Sequence, residues 1–152
     1  MSSIQNNIAG KKAVAKKGLK IGIVRSEYNS EVGLPMYDAC FKTLVESGVT
    51  EIDIKTLVVP GAFELPLACQ QMAVKNQFHA IITLGVIIRG DTPHFDYIAS
   101  ACAQGIMDAS LKTNVPIVFG VLTTENMAQA KARIDKGIEV AIAAIEMTNL
   151  NV

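Results

Sequence analysis

The chain has 152 residues, half of them apolar, 18% charged and none of them Trp, with a formal net charge of zero. That length suits one domain with a real core, and the charge balance argues against nucleic-acid binding, which selects a clustered basic excess. Charges fall below the ~25% typical of globular domains, so both sheet burial on two faces and burial of surface against other subunits are expected.

Residues 1–17 read as a flexible N-terminal arm and 18–152 as a single domain. The basic stretch Lys11, Lys12, Lys16, Lys17 and Lys20 reads as a solvated tail rather than a binding patch. Met1 to Gly10 is polar, so no secretory signal is expected. No apolar run reaches the ~18 residues that span a bilayer, and the cytoplasm is the expected compartment.

The first strand is expected over 19–24 (LKIGIV). A helix over 35–46 follows, with Leu34, Tyr37, Phe41, Leu44 and Val45 on one stripe, Pro35 in its first turn and Gly48 as its stop. The second strand, 51–59, opens with alternation, Ile52 and Ile54 inward and Asp53 and Lys55 outward, which marks an edge strand. A second helix covers 63–74. The third strand, 80–88 (AIITLGVII), is apolar throughout, as a central strand covered on both faces should be, and the fourth, 115–122 (VPIVFGVL), reads similarly. Between them a third helix, 93–112, turns Phe95, Ile98, Cys102, Ile106 and Ala109 inward. The last helical region, 125–147, turns Ile134, Ile138, Ala141, Ile142 and Ile145 inward, with Gly137 marking a bend.

Four β–α units in succession predict an α/β fold, a four-stranded parallel sheet between helical layers. The amphipathic second strand favours the order 2-1-3-4, a shortened flavodoxin-type sheet. Such sheets bind ligands at the carboxyl ends of their strands, so function is expected after Val24, Val59, Ile88 and Leu122. Cys40, Cys69 and Cys102 form neither CxxC nor a Cys/His metal pattern and read as reduced core residues.

The strand ends carry the chemistry. After the first, Arg25-Ser26-Glu27-Tyr28-Asn29 contains no glycine-rich nucleotide signature. Tyr28 either stacks on a planar heterocycle or packs the mouth of the domain. After the second, Pro60-Gly61 turns the chain. Glu64 then either supports the helix start or accepts hydrogen bonds from a polyol. After the third comes Arg89-Gly90-Asp91-Thr92-Pro93-His94. Gly90 admits close backbone approach, Asp91 or Thr92 caps a helix with Pro93 in its first turn, and the free amides there suit an anion. An imidazole at that position, His94, is placed for proton transfer. Beyond the fourth strand, Arg133 and Lys136 are either surface cations or phosphate ligands, Arg133 having the better fork.

The stretches VPGAFELP (59–66), GVIIRGDTPHFDY (85–97), VPIVFGVLTTEN (115–126) and AIEMTNL (144–150) together resemble the lumazine synthase family. The resemblance runs from about Gly18 to the C-terminus. It implies a flavodoxin-like fold and a condensation of 5-amino-6-(D-ribitylamino)uracil with 3,4-dihydroxy-2-butanone 4-phosphate to 6,7-dimethyl-8-ribityllumazine. Phosphate and water are lost, in the penultimate step of riboflavin biosynthesis. Neither cofactor nor metal is expected, because the substrate amine itself forms the imine. By position the family assigns Tyr28 to stacking on the pyrimidine, Ala62, Phe63 and Glu64 to the ribityl chain, and the backbone of Val86, Ile87 and Ile88 to the pyrimidine edge. It assigns Gly90, Asp91, Thr92 and Arg133 to the phosphate and His94 to proton transfer. Phe119, Arg133 and Lys136 are to come from a neighbouring subunit, since the family's sites lie between adjacent subunits of a pentamer. Riboflavin synthase is the implied pathway partner.

Three departures stand out. Tyr28 replaces the more usual Phe or Trp. Asp91 occupies an often small, neutral position, and its carboxylate must turn away to cap the helix. Only Ile134-Asp135 separate Arg133 from Lys136, where shell-forming members carry a longer bend, which favours a pentamer or a dimer of pentamers. A flavin- or pterin-binding module without catalysis would use the same aromatic and phosphate loop. A structural shell or scaffold protein is a third reading.

Overall fold

The computed structural model describes residues 12–150. The apolar runs form strands β1 (Ile21–Ser26), β2 (Ile54–Val59), β3 (Ala80–Ile88) and β4 (Ile117–Thr124). All pair in parallel, in the order β2-β1-β3-β4. Helices α1 (Ser30–Glu46), α2 (Leu65–Val74), α3 (His94–Thr113), α4 (Met127–Lys131) and α5 (Lys136–Thr148) follow the strands. This is the expected α/β flavodoxin-like arrangement.

Alternation along each strand divides the core in two. Ile21, Ile23, Ile82 and Leu84 face α1 and α5, where they meet Met36, Leu44, Val140 and Ile145. Val24, Ile81 and Val121 face α2 and α3, where they meet Leu65, Met72, Cys102 and Ile106. Complete burial of such side chains contributes roughly 1.5–3 kcal/mol each. Helices α1 and α5 approach closely at Gly137. A Cβ there would overlap the Met36 carbonyl oxygen and lie 3.1 Å from the Cys40 amide nitrogen.

The expected N-terminal arm falls partly outside the described residues. Of its described part, Ala13 and Ala15 pack against the α1–α5 core, and the Ala15 amide donates to Ser47 O at 2.9 Å.

Several sequence expectations need correction. Helix α1 begins at Ser30, so Pro35 lies inside it rather than in its first turn. Its buried face is Val32, Met36, Cys40 and Leu44. Leu34 is exposed, while Tyr37, Phe41 and Val45 form a half-buried flank. The turn at Asn29 (φ 61) starts the helix. Gly48 (φ 107) stops it as expected, in the left-handed region where a Cβ is disfavoured. Glu51–Asp53 form a 3-10 turn rather than strand, and Ile52 is 90% exposed instead of inward. Strands β1 and β4 end at Ser26 and Thr124, two residues later than expected. β4 is an edge strand whose first half is incompletely covered, despite its apolar composition. The last helical region is two helices, and the break falls at residues 132–135, ahead of Gly137.

Candidate active site

The parallel sheet brings the carboxyl ends of β1, β2, β3 and β4 to one edge. Backbone bonds tie the segments that leave it. The amides of Glu27 and Tyr28 donate to Val59 O and Pro60 O at 2.8 and 3.1 Å, and the Arg89 amide donates to Thr124 O at 2.9 Å. β1 pairs with β3 only as far as Leu84, whereas β4 pairs with β3 through Ile88. β1 ends at Ser26, level with Gly85, so residues 86–88 extend past it with no β1 partner. Asn29 partly fills the gap, its Nδ2 donating to Val86 O at 3.0 Å. Tyr28, next to Asn29 in the chain, is 73% exposed. The side chains of Val86 and Ile87 are buried and that of Ile88 is half-buried, so main chain is what the overhang offers.

After β2, Ala62–Glu64 form a 3-10 turn leading into α2. Ala62 is buried and Phe63 exposed. One Glu64 oxygen, Oε2, accepts from the Gly61 amide at 3.1 Å. Glu64 thus supports the helix start while its carboxylate remains exposed.

The loop after β3 holds Gly90, Asp91, Thr92 and His94, all exposed. Pro93 stands at the N-cap of α3, and the nearest capping contact is His94 N–H to Thr92 Oγ1, long at 3.4 Å. The alternative cap, Asp91, makes no hydrogen bond or ion pair among the described residues. No side-chain cap bond forms at the start of α3.

Arg89, at the root of this loop, is the most heavily bonded side chain at the edge. Nη1 and Nη2 donate to Asp96 Oδ2 and Oδ1 at 3.3 and 3.2 Å, and Nε donates to Glu125 Oε2 at 2.8 Å. Its guanidinium carbon lies 4.4 Å from the centroid of the Phe95 ring, a cation–π distance. The hydrogen bonds it donates to Asp96 are the largest influence on the guanidinium and push its pKa up. From Glu125 the bonding continues. Its amide donates to Gln129 Oε1 at 2.8 Å, and Arg133 Nη1 donates to Gln129 O at 2.9 Å. Sequence reasoning assigned no role to Asn29, Arg89, Asp96 or Gln129. The visible signals were Asn's tolerance of left-handed backbone and an Arg and Asp bracketing the glycine-containing loop.

Some sequence-selected residues are not gathered at this edge within one chain. Phe119 lies in the middle of β4 opposite Thr83, 37% exposed. Lys136 pairs with Glu139 at 3.0 Å. Among the described residues, no hydrogen bond or ion pair joins Phe119, Arg133 or Lys136 to Tyr28, the 62–64 turn or the 90–94 loop. A groove of about 540 Å³ lies on the flank beside β2, lined by residues such as Tyr37, Phe41, Val45 and Glu51. It contains neither His nor Cys.

Burial pushes the thiols of Cys40 and Cys69 up to about 12 and that of Cys102 to about 11, with Cys102 raising Cys69 further. All three stay protonated and inert near neutrality. Among the described residues no three His, Cys, Asp or Glu side chains cluster to hold a metal ion. No described helix is long and apolar enough to cross a membrane.

The family model for 6,7-dimethyl-8-ribityllumazine synthase matches residues 18–151. A protein of Syntrophus aciditrophicus (strain SB), named 6,7-dimethyl-8-ribityllumazine synthase, is 45% identical over 139 residues. The match covers 88% of this chain and 90% of that protein.

Proposed function

The chain belongs to the 6,7-dimethyl-8-ribityllumazine synthase family, and we propose that it is the transferase that condenses 5-amino-6-(D-ribitylamino)uracil with 3,4-dihydroxy-2-butanone 4-phosphate. The observation that carries this reading is the match across residues 18–151, in which the strand-end segments fall in order along one sheet edge. Family membership and the relative's name favour catalysis over a flavin- or pterin-binding module.

The reaction needs two substrates held face to face, a phosphate accommodated as it leaves, and protons moved during imine formation. Tyr28 stacks on the pyrimidine, and the backbone of Val86, Ile87 and Ile88 meets its edge. Ala62, Phe63 and the free side of the Glu64 carboxylate hold the ribityl chain. Gly90, Asp91 and Thr92 form the phosphate loop, with Arg133 as its fork. His94 moves the proton. Most of the acceleration comes from positioning, with general acid–base catalysis added to it. Asp91 is the poorest fit, since its uncapped carboxylate must swing away from the phosphate.

Phe119, Arg133 and Lys136 complete the site from an adjacent copy, which accounts for their separation from Tyr28 within one chain. Exposed apolar side chains on α2 and α3, including Leu67, Val74, Met107 and Leu111, support association. The assembly is a pentamer, or a dimer of pentamers, in the cytoplasm, with riboflavin synthase as pathway partner. Mixing the protein with both substrates should generate fluorescent lumazine. Absence of product would refute the catalytic reading, and a monomer in sedimentation at micromolar concentration would refute the shared site.

A further inference from the structure

We infer that Arg89 is a positioning residue for the phosphate end of the site, one guanidinium that fixes both the loop carrying His94 and the turn leading to Arg133. The inference rests on the lumazine synthase reading and deepens it. Arg89 leaves β3 already anchored, because its amide donates to Thr124 O at the end of β4. Its fork then grips Asp96, on the far side of Gly90, Asp91, Thr92, Pro93 and His94. The pair therefore bridges the two ends of residues 90–95. Phe95 lies beneath the same guanidinium and removes further freedom from the segment beside His94.

The remaining edge of the guanidinium reaches the next strand end. Nε holds Glu125, the Glu125 amide holds the Gln129 side chain, and the Gln129 carbonyl accepts from Arg133. Arg133 is thus linked through three bonds to the residue that sets the phosphate loop. On the shared-site reading, a subunit presents its 90–94 loop to one site and its Arg133 to the next, so Arg89 braces parts of both.

The geometry calls for Arg specifically. A planar fork satisfies two carboxylates and a ring face at once, while an ammonium is a point charge that cannot reproduce that arrangement. The stabilising energy is small by comparison. Arg89 is 37% exposed and Asp96 and Glu125 more so, a setting in which ion pairs contribute little to folding. Conserving loop position is what the arrangement achieves, and catalysis by positioning is sensitive to displacements of about 1 Å.

The test is steady-state kinetics of the parent protein and of Arg89→Gln, Arg89→Lys, Asp96→Asn and the Arg89→Gln/Asp96→Asn double variant. Inorganic phosphate serves as a competitive probe. Arg89→Gln should lower kcat/KM for the butanone phosphate by roughly ten- to a hundredfold and weaken phosphate inhibition. KM for the pyrimidine should stay within about twofold, and the melting temperature should fall by only a few degrees. Arg89→Lys should remain impaired, because charge without the fork does not hold the loop. Asp96→Asn should move in the same direction, and the double variant should be no worse than Arg89→Gln, as expected for one coupled pair. Parental kinetics in Arg89→Gln, or full activity in Arg89→Lys, would overturn the inference while leaving the enzyme assignment intact. A parent that makes no lumazine would instead overturn the assignment and the inference with it. Should Arg89→Gln fail to fold, Asp96→Asn, which keeps the side-chain shape, decides the matter on the same readouts.

Discussion

Gly137→Ala probes the place where the last helix is held against the first. Helix propensity alone favours Ala over Gly by up to about 1 kcal/mol. Against that, the new methyl would overlap the Met36 carbonyl oxygen and crowd the Cys40 amide nitrogen at 3.1 Å. Both are main-chain atoms of α1, so no side chain can rotate away. Helix α5 must back off, drawing Val140, Ala141, Ala144 and Ile145 out of contact with Met36 and Leu44. Overpacking of this kind costs about 1–3 kcal/mol, and an immovable backbone places it at the upper end. After the propensity gain, the net loss should be about 1–2 kcal/mol. For a chain of this length that corresponds to a melting temperature lower by roughly 2–8 °C. Thermal unfolding should be compared at equal protomer concentration, because assembly contributes to apparent stability. Residue 137 adjoins Lys136, so on the proposed shared site KM for the butanone phosphate should rise as well. A variant as stable as the parent or more so would refute the close-approach argument and leave propensity as the controlling factor.

Three further outcomes follow from the site and the core. Arg133→Lys should weaken use of the butanone phosphate by about 1.5–3 kcal/mol, with pyrimidine binding unchanged; equal kinetics for the phosphate substrate would return Arg133 to a surface role. His94→Ala should lower turnover by about tenfold to a hundredfold and alter its pH dependence, with the oligomer intact; an unchanged rate and profile would remove His94 from the mechanism. The buried thiols make stability fall in alkali. The unfolded chain releases their protons near the ordinary value of 9.0, whereas the native state holds those of Cys40 and Cys69 to about 12 and that of Cys102 to about 11. Their contribution is complete below pH 9 and lost as pH rises from there towards 12. Urea denaturation at pH 8 and pH 10 should show the loss, and equal stability would refute the burial of the thiols.

Long uniform signals made the fold legible. The run AIITLGVII gave β3 its observed limits, and successive β–α units gave the parallel order. Short and mixed segments misled. Ile52 fits an alternating strand, yet two acids flank it and it lies on an exposed 3-10 turn. Pro35 read as a helix start because proline is favoured there, but Val32 and Met36 bury on the same face and draw the helix back to Ser30. The candidate site was legible as motifs at strand ends. Its internal bracing was not, because Arg89–Glu125 and Asn29–Val86 join residues far apart in the chain. Only the sheet order makes them neighbours.

The overhang of β3 past β1 has a consequence for mutagenesis and for drift of the sequence. A group that docks along residues 86–88 would be read by amide hydrogens and carbonyl oxygens that every amino acid except proline supplies alike. Side-chain replacement there changes packing, since Val86 and Ile87 are buried, and leaves the recognising atoms in place. An alanine scan would therefore score these positions as core and would not detect the proposed docking role. What alters that surface is chain geometry. A proline at Ile88, or one residue inserted between Ser26 and Asn29 so that the Asn29 amide no longer meets Val86, would rewrite it. The information is stored in the difference in length between two neighbouring strands, where it can persist while residue identities change.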